Sequence, residues 1–135
     1  MKKAFKMIIL ILCISLVLTE CVIDYHSNHE YYFNNSSDYI FCIKIKTSLT
    51  PEVVKYVEPH TSVLIDDRGV QDVLRDYGDN FLRKFFNDLS IGCNDSLFVN
   101  KDIMKRNNWE YVKDEKTQTN TYTFTIYNSD TKRYY

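Results

Sequence analysis

Thr121-Tyr122-Thr123-Phe124-Thr125-Ile126-Tyr127-Asn128 decides the fold class. Tyr122, Phe124 and Ile126 fall on one face of an extended chain and Thr121, Thr123 and Thr125 on the other, and all suit a pleated, half-buried surface. Upstream, Trp109 and Tyr111 begin a second strand, and the polar stretch 114–120 supplies a turn, so the two read as an antiparallel hairpin. Further back, Tyr39, Phe41, Ile43 and Ile45 alternate with Cys42, Lys44 and Lys46, the period of two that puts one face on a core and one toward water. Thr50-Pro51 ends that strand, Pro59 breaks the segment 52–58, and residues 62–65 form a short strand with Val63 and Ile65 on one side. A first strand is expected over about 30–33, before the turn cluster Asn34-Asn35-Ser36-Ser37. Residues 96–99 make a short apolar run, and 101–107 a helical turn.

One segment keeps a helical period. Val73, Tyr77, Phe81, Phe85 and Leu89 recur every four residues beside Leu74, Leu82 and Phe86. Gly78 weakens the first half, so a start at Asp79, whose side chain can cap the free donors, leaves a helix over 80–88. Its broad aromatic face must close one side of a sheet. The expected fold is therefore mostly β, an antiparallel sandwich with one packed helix near 79–88, with an α+β arrangement as the alternative.

The chain has 135 residues and a formal charge of −1. Residues 1–20 contribute Lys2, Lys3, Lys6 and Glu20, so the remaining body holds 14 basic against 17 acidic residues. That body fits one domain, expected over 30–128, with 129–135 as a frayed terminus. Slight acidity without a basic run argues against nucleic acid as a partner, since phosphate binding needs clustered Lys and Arg.

Residues 1–20 have the profile of a secretory signal: three lysines, then an apolar run over 7–18 interrupted by Ser15. Twelve helical residues reach about 18 Å, short of a hydrocarbon core of about 30 Å. The run ends in Leu18-Thr19-Glu20-Cys21, which resembles the lipobox of bacterial lipoproteins at Leu18 and Cys21 and departs from it at Glu20, where that pattern has a small residue. The resemblance implies a leader cut before Cys21, acylation of that cysteine, a tether over 21–29 and attachment to a bacterial membrane at the cell envelope. The Asn34-Asn35-Ser36-Ser37-Asp38 turn, the Glu58-Pro59-His60-Thr61-Ser62 turn and the final Trp109 and Thr121 strands complete the plan. Together they look like small uncharacterised lipoproteins of the Bacteroidota, which are similar in plan to immunoglobulin-like β-sandwiches. This resemblance implies a location and a fold class, and it carries no catalytic residues.

Candidate chemistry is sparse. His26, His29 and Glu30 are the nearest approach to a metal cluster, but the order matches neither zinc-protease motif, and a solvated tether is the expected setting. His60 sits in a turn with no partner evident in the sequence. Asp66, Asp67, Asp72, Asp76 and Asp79 lack the spacing of a calcium loop and read as a solvated acidic face; their use as paired carboxylates in a small glycan or peptide hydrolase is the enzymatic alternative. Cys42 and Cys93 are candidates for a disulfide, which export allows. Nucleophile elbows, Ser-x-x-Lys and phosphate loops are missing, and no cofactor or metal is expected. Of the many aromatics, Tyr31, Tyr32 and Tyr127 are candidates for a binding surface. The expected function is a non-catalytic binding module, anchored to a membrane through lipidated Cys21, with an envelope protein or glycan as partner. A structural subunit offering 121–128 as an open edge strand is a further alternative.

Overall fold

The computed structural model describes residues 2–4, 6–7, 26–72, 74–92 and 97–133. The leader's apolar run, Cys21, Cys93, Tyr134 and Tyr135 lie outside the described residues. Nine strands dominate the described residues: β1 (Ser27–Ser36), β2 (Phe41–Thr47), β3 (Val53–Val57), β4 (Thr61–Val70), β5 (Phe86–Gly92), β6 (Leu97–Val99), β7 (Trp109–Asp114), β8 (Thr119–Tyr127) and β9 (Thr131–Arg133). A single α-helix is described between β4 and β5, α1 (Phe81–Phe85). The strands form a four-stranded sheet in the order β4-β1-β8-β7, a three-stranded sheet β3-β2-β5 and a two-stranded ribbon β6-β9.

The hairpin expected at the C-terminus is present, with Trp109 opposite Phe124 and Tyr111 opposite Tyr122. Its turn is tight because the Asp114 carboxylate accepts hydrogen bonds from the backbone N–H of Lys116 and Thr117, and Gln118 takes the left-handed conformation that returns the chain. On the other side β8 pairs in parallel with β1, which makes this sheet mixed and not antiparallel throughout as expected, in a register that sets Tyr31 beside Tyr122 and Phe33 beside Phe124. Two aromatic rows therefore cross three strands. Tyr31 stacks on Tyr122 at 5.4 Å, and Tyr122 meets Tyr111 at 5.1 Å; Phe33 stacks on Phe124 at 5.9 Å, and Phe124 meets Trp109 at 5.3 Å. Such in-register pairs are the unit of sheet stabilisation, and they fix β1 against β8 although some 90 residues separate them.

The second sheet closes over these rows. Ile43 and Ile45 on β2, Val57 on β3 and Leu89 on β5 share one buried core with Tyr31, Phe33, Tyr122 and Phe124. Phe33 meets Phe41 at 6.3 Å and Tyr31 meets Phe86 edge-on at 5.1 Å, so the two sheets pack face to face.

Several expectations need correction. The helix expected over 80–88 stops at Phe85, and Phe86 is already extended at φ −113°, ψ 126°. The residues after it, Leu89 to Gly92, alternate well enough to pair with β2, and that pairing outweighs the local helical period. Its N-cap is Asn80, which makes no side-chain cap bond, and Gly78 occupies a left-handed turn at φ +59° that leads into the helix. The tether expected over 21–29 ends earlier, because Ser27, Asn28 and His29 belong to β1: all three pair with β4, and Asn28 and His29 pair with β8 as well. At the other end, the segment expected to fray forms a 3-10 turn at Asn128–Asp130 and then β9 against β6. The segment 52–58 is a strand, and the short strand expected at 62–65 runs on to Val70. Residues 121–124 offer no open edge, since there β8 lies between β1 and β7, whose pairing ends at Phe124.

Candidate ligand-binding surface

The residues singled out in the sequence scatter. Tyr31 is fully buried in the core and is not a surface aromatic, because its position on β1 faces the second sheet. Tyr32 is half-buried, its hydroxyl donating to Glu30 at 3.2 Å. Tyr127 alone of the three is well exposed, at 50%. His26 is exposed and His29 wholly buried two strand positions from Ser27, so the pair does not converge on a metal. Among the described residues no group of three His, Cys, Asp or Glu side chains could hold an ion. His29 is not in a solvated tether: Ser27 Oγ and Asn120 Nδ2 lie 3.3 and 3.4 Å from its Nε2, and Tyr77 and Phe85 cover its ring. Burial, with Lys84 and Arg68 nearby, pushes its pKa down to about 4, so the ring is neutral at ordinary pH. Cys42 is buried and disulfide-bonded; Cys93 lies outside the described residues.

Three of the five acids, Asp66, Asp72 and Asp76, serve as fasteners, and Asp67 is exposed on β4. Asp66 pairs with Arg68 along β4, and Asp72 accepts from Arg75 at 3.2 Å and from the Tyr77 hydroxyl at 2.8 Å. Asp76 binds Arg106 through Nε at 3.0 Å and takes the Gly78 N–H, and the guanidinium holds its carboxyl below the usual range. The same Arg106 donates to the Trp109 carbonyl, so this ion pair locks the turn before α1 to the start of β7.

Two turns noted in the sequence meet at one end of the packed sheets. The Asn35 side chain, fully buried, donates to the carbonyls of Tyr39, Val57 and Glu58 and accepts from the N–H and hydroxyl of Ser37. It thereby ties the β1–β2 turn to the β3–β4 turn. On the outside, His60 Nε2 lies 3.0 Å from Asp38 Oδ1, so His60 has the partner the sequence did not reveal. Asn128, from the turn after β8, donates to Asp38 Oδ2 at 2.8 Å and accepts from the Asp38 N–H at 2.9 Å. Hydrogen bonds from Asn128 and then His60 keep the Asp38 carboxyl below its ordinary range. His60 adopts φ +58°, a left-handed conformation uncommon outside glycine and asparagine.

From this end a band of grooves follows the C-terminal half of the chain. The first, about 450 Å³, is bordered by Tyr39, Asn128, Thr131, Lys132 and Arg133, with the Arg133 guanidinium 5.8 Å from the Tyr39 ring. Its β9 residues pair with β6, which borders the second, also about 450 Å³, lined by Phe98, Asn100, Lys101, Asp102, Lys105 and Asn108. Lys105 is shared with the third, about 350 Å³, which adds Asn80, Arg83, Met104, Arg106 and Asn107. Six cations line these grooves against the single carboxylate of Asp102. Lys101 is partly tied, donating to the Thr125 carbonyl at 2.7 Å and lying 3.9 Å from Asp130. Neither Arg83 nor Lys105 is in an ion pair among the described residues, and both are exposed.

The sequence missed this band because it is assembled from Arg83, the 101–108 segment and β9, none of which is a basic run. The one local signal is Lys105-Arg106-Asn107, at the end of the helical turn expected over 101–107; the structure has a 3-10 turn at Arg106–Asn108. No helix among the described residues is long and apolar enough to cross a membrane. Comparison with known proteins finds no family model, curated protein or solved structure that matches the chain.

Proposed function

We propose that this protein is a non-catalytic binding module of the bacterial cell envelope, held at a membrane by a lipid on Cys21 and built on an immunoglobulin-like plan. The observation that carries the binding reading is the band of six cations lining open grooves on a body with more acids than bases. A charge pattern opposed to the net charge, set in concave surface, concentrates field where a ligand of opposite sign would lie. Two sheets packed face to face, with turns gathered at one end, support the sandwich plan. The leader profile and Leu18-Thr19-Glu20-Cys21 support the anchor, which would hold the band near its partner and raise the effective concentration of both.

The test labels cells producing the wild-type chain or Cys21→Ser with a clickable palmitate, followed by membrane fractionation and crosslinking in intact envelopes. The expected result is label on a shortened wild-type chain, none on the variant, and envelope crosslinks that weaken when Arg83 and Lys105 are both replaced by alanine. Neither label nor cleavage would remove the anchor, and crosslinks indifferent to the double substitution would remove the band as the binding surface.

A further inference from the structure

We infer that the band is the binding site of an acidic oligosaccharide, a sugar chain carrying carboxylates at intervals along its length. This rests on the binding reading above and adds the class of ligand. The cations supply the attraction to charge: Lys132 and Arg133 beside the first groove, Lys101 and Lys105 in the second, and Arg83 with the shared Lys105 in the third, where Arg106 is held by Asp76. Because the first two grooves border the paired strands β9 and β6 and Lys105 joins the second to the third, the positive groups are spread along a path and are not gathered at one point. A ligand that meets all of them must be extended and charged repeatedly, which a single phosphate or a small metabolite is not.

The groups between the cations distinguish a sugar from other polyanions. Asn80, Asn107, Asn100, Asn108 and Asn128 line the same three grooves. A carboxamide offers both donors and an acceptor, which matches the hydroxyl groups of a sugar and has less to offer a phosphodiester, an acceptor without donors. Asn108 and Asn128 are already oriented, one donating to the Asp102 carbonyl at 2.8 Å and the other held by Asp38. Phe98, 43% exposed on β6, gives the second groove an apolar face of the kind on which the C–H side of a pyranose ring rests, and Tyr39 borders the first. A body with three more acids than bases repels a long uniform phosphate polymer outside the band. A short acidic glycan meets the band alone.

The experiment uses the full chain in non-ionic detergent, with fluorescently end-labelled oligogalacturonate of about ten residues as the probe. Neutral cello-oligosaccharide, single-stranded DNA of similar length and phosphatidylglycerol vesicles serve as comparisons. Expected is binding of the oligogalacturonate that weakens about tenfold or more in Arg83→Ala/Lys105→Ala and again in Lys132→Ala/Arg133→Ala. Lys44→Ala/Lys46→Ala, on the exposed face of β2, should leave it unchanged. Raising salt should weaken binding, with a shallower dependence in each double variant. Phe98→Ala should weaken binding several-fold at every salt concentration without changing that slope, a result that charge attraction alone does not give. Absence of binding at millimolar oligogalacturonate overturns the ligand class, as does tighter binding of DNA or vesicles or of the neutral oligosaccharide. Since the envelope crosslinks of Arg83→Ala/Lys105→Ala are read separately, a failed ligand class with charge-dependent crosslinks leaves the binding module standing, and failure of both removes it. Circular dichroism and the emission of buried Trp109 verify that each variant is folded.

Discussion

Replacing Asn35 by alanine should destabilise the protein far more than its size suggests. The side chain is fully buried and makes five contacts: Nδ2 to the carbonyls of Tyr39 at 2.7 Å, Glu58 at 3.0 Å and Val57 at 3.2 Å, and Oδ1 from Ser37 N at 3.0 Å and Ser37 Oγ at 2.7 Å. A typical internal hydrogen bond contributes about 1 kcal/mol net, but a buried partner left unsatisfied costs about 1–3 kcal/mol. Alanine leaves the Ser37 N–H and the Val57 carbonyl without this partner in the protein interior. Counting the stronger contacts, the loss is about 3–4 kcal/mol, a large part of the roughly 5–15 kcal/mol that holds a domain together. With a urea dependence of about 1–3 kcal/mol per molar, the midpoint should fall by about 2 M, read from the emission of the single tryptophan, Trp109. A fall of less than about 0.5 M would refute the claim that Asn35 ties the two turns together. Asn35→Asp separates donors from acceptors. It keeps the oxygen that Ser37 needs and turns a carboxylate toward three carbonyls, which raises the folded-state pKa of the new acid above its unfolded value near 3.9. The folded state then binds the proton more tightly, so the variant should lie closest to wild type below about pH 4 and fall behind as pH rises through the carboxylate range.

Three further outcomes follow from the same geometry. His29 has a folded pKa near 4 against an unfolded value near 6.5, so as pH falls through that window the unfolded chain takes a proton the folded one refuses, and stability should drop by about 3 kcal/mol; in His29→Leu that slope should vanish in urea titrations between pH 7 and 4. Phe124→Ala, which removes the centre of the Phe33–Phe124–Trp109 row, should cost about 3–5 kcal/mol, whereas Tyr127→Ala on the exposed end of the same strand should cost under about 0.5 kcal/mol by the same denaturation. Asn128→Ala removes the first of the two hydrogen bonds that hold the Asp38 carboxyl low, so its titration, followed by carbon NMR of the side chain, should move up toward the ordinary aspartate range.

Strands announced by strict alternation were legible: Phe41, Ile43 and Ile45 and Tyr122, Phe124 and Ile126 are buried as their alternation assigns, although Cys42 and Thr125 on the opposite faces are buried too, and the β7–β8 hairpin has its turn where the polar residues fall. What lay hidden was contact between distant segments. Nothing near Tyr31 says that it will stack on Tyr122, so the sequence suggests a surface position for a side chain that is buried, and pairing with the distant β4 and β8 draws Ser27, Asn28 and His29 out of the tether. Phe85, Phe86 and Leu89 satisfy a four-residue period and a strand equally, and only β2, waiting with Ile43 and Ile45, decides for the strand after Phe85. Asp38 and His60 each look like turn residues; their 3.0 Å approach depends on Asn35, whose five bonds no local pattern encodes.

The candidate surface shows why net charge is a poor guide to what a small domain binds. Fourteen basic residues against seventeen acidic ones exclude a strong overall field, yet they do not fix where each charge lies. Here many acids are spent on internal fastening: Asp66 on Arg68, Asp72 on Tyr77 and Arg75, Asp130 on the Tyr127 N–H, Asp114 on its own turn. A carboxylate engaged in this way contributes little field at the grooves, because its hydrogen bonds and partner charges cancel it at short range. The cations near the grooves are less evenly consumed. Arg106 is committed to Asp76 and the Trp109 carbonyl, but Arg83 and Lys105 beside it pair with no acid among the described residues. Arg106 therefore acts as the rigid post of the third groove, and the free pair supplies its pull. That division of labour predicts different failures on substitution: Arg106→Ala should loosen the turn before α1 and lower stability, while Arg83→Ala and Lys105→Ala should leave stability alone and reduce only the salt-sensitive part of binding.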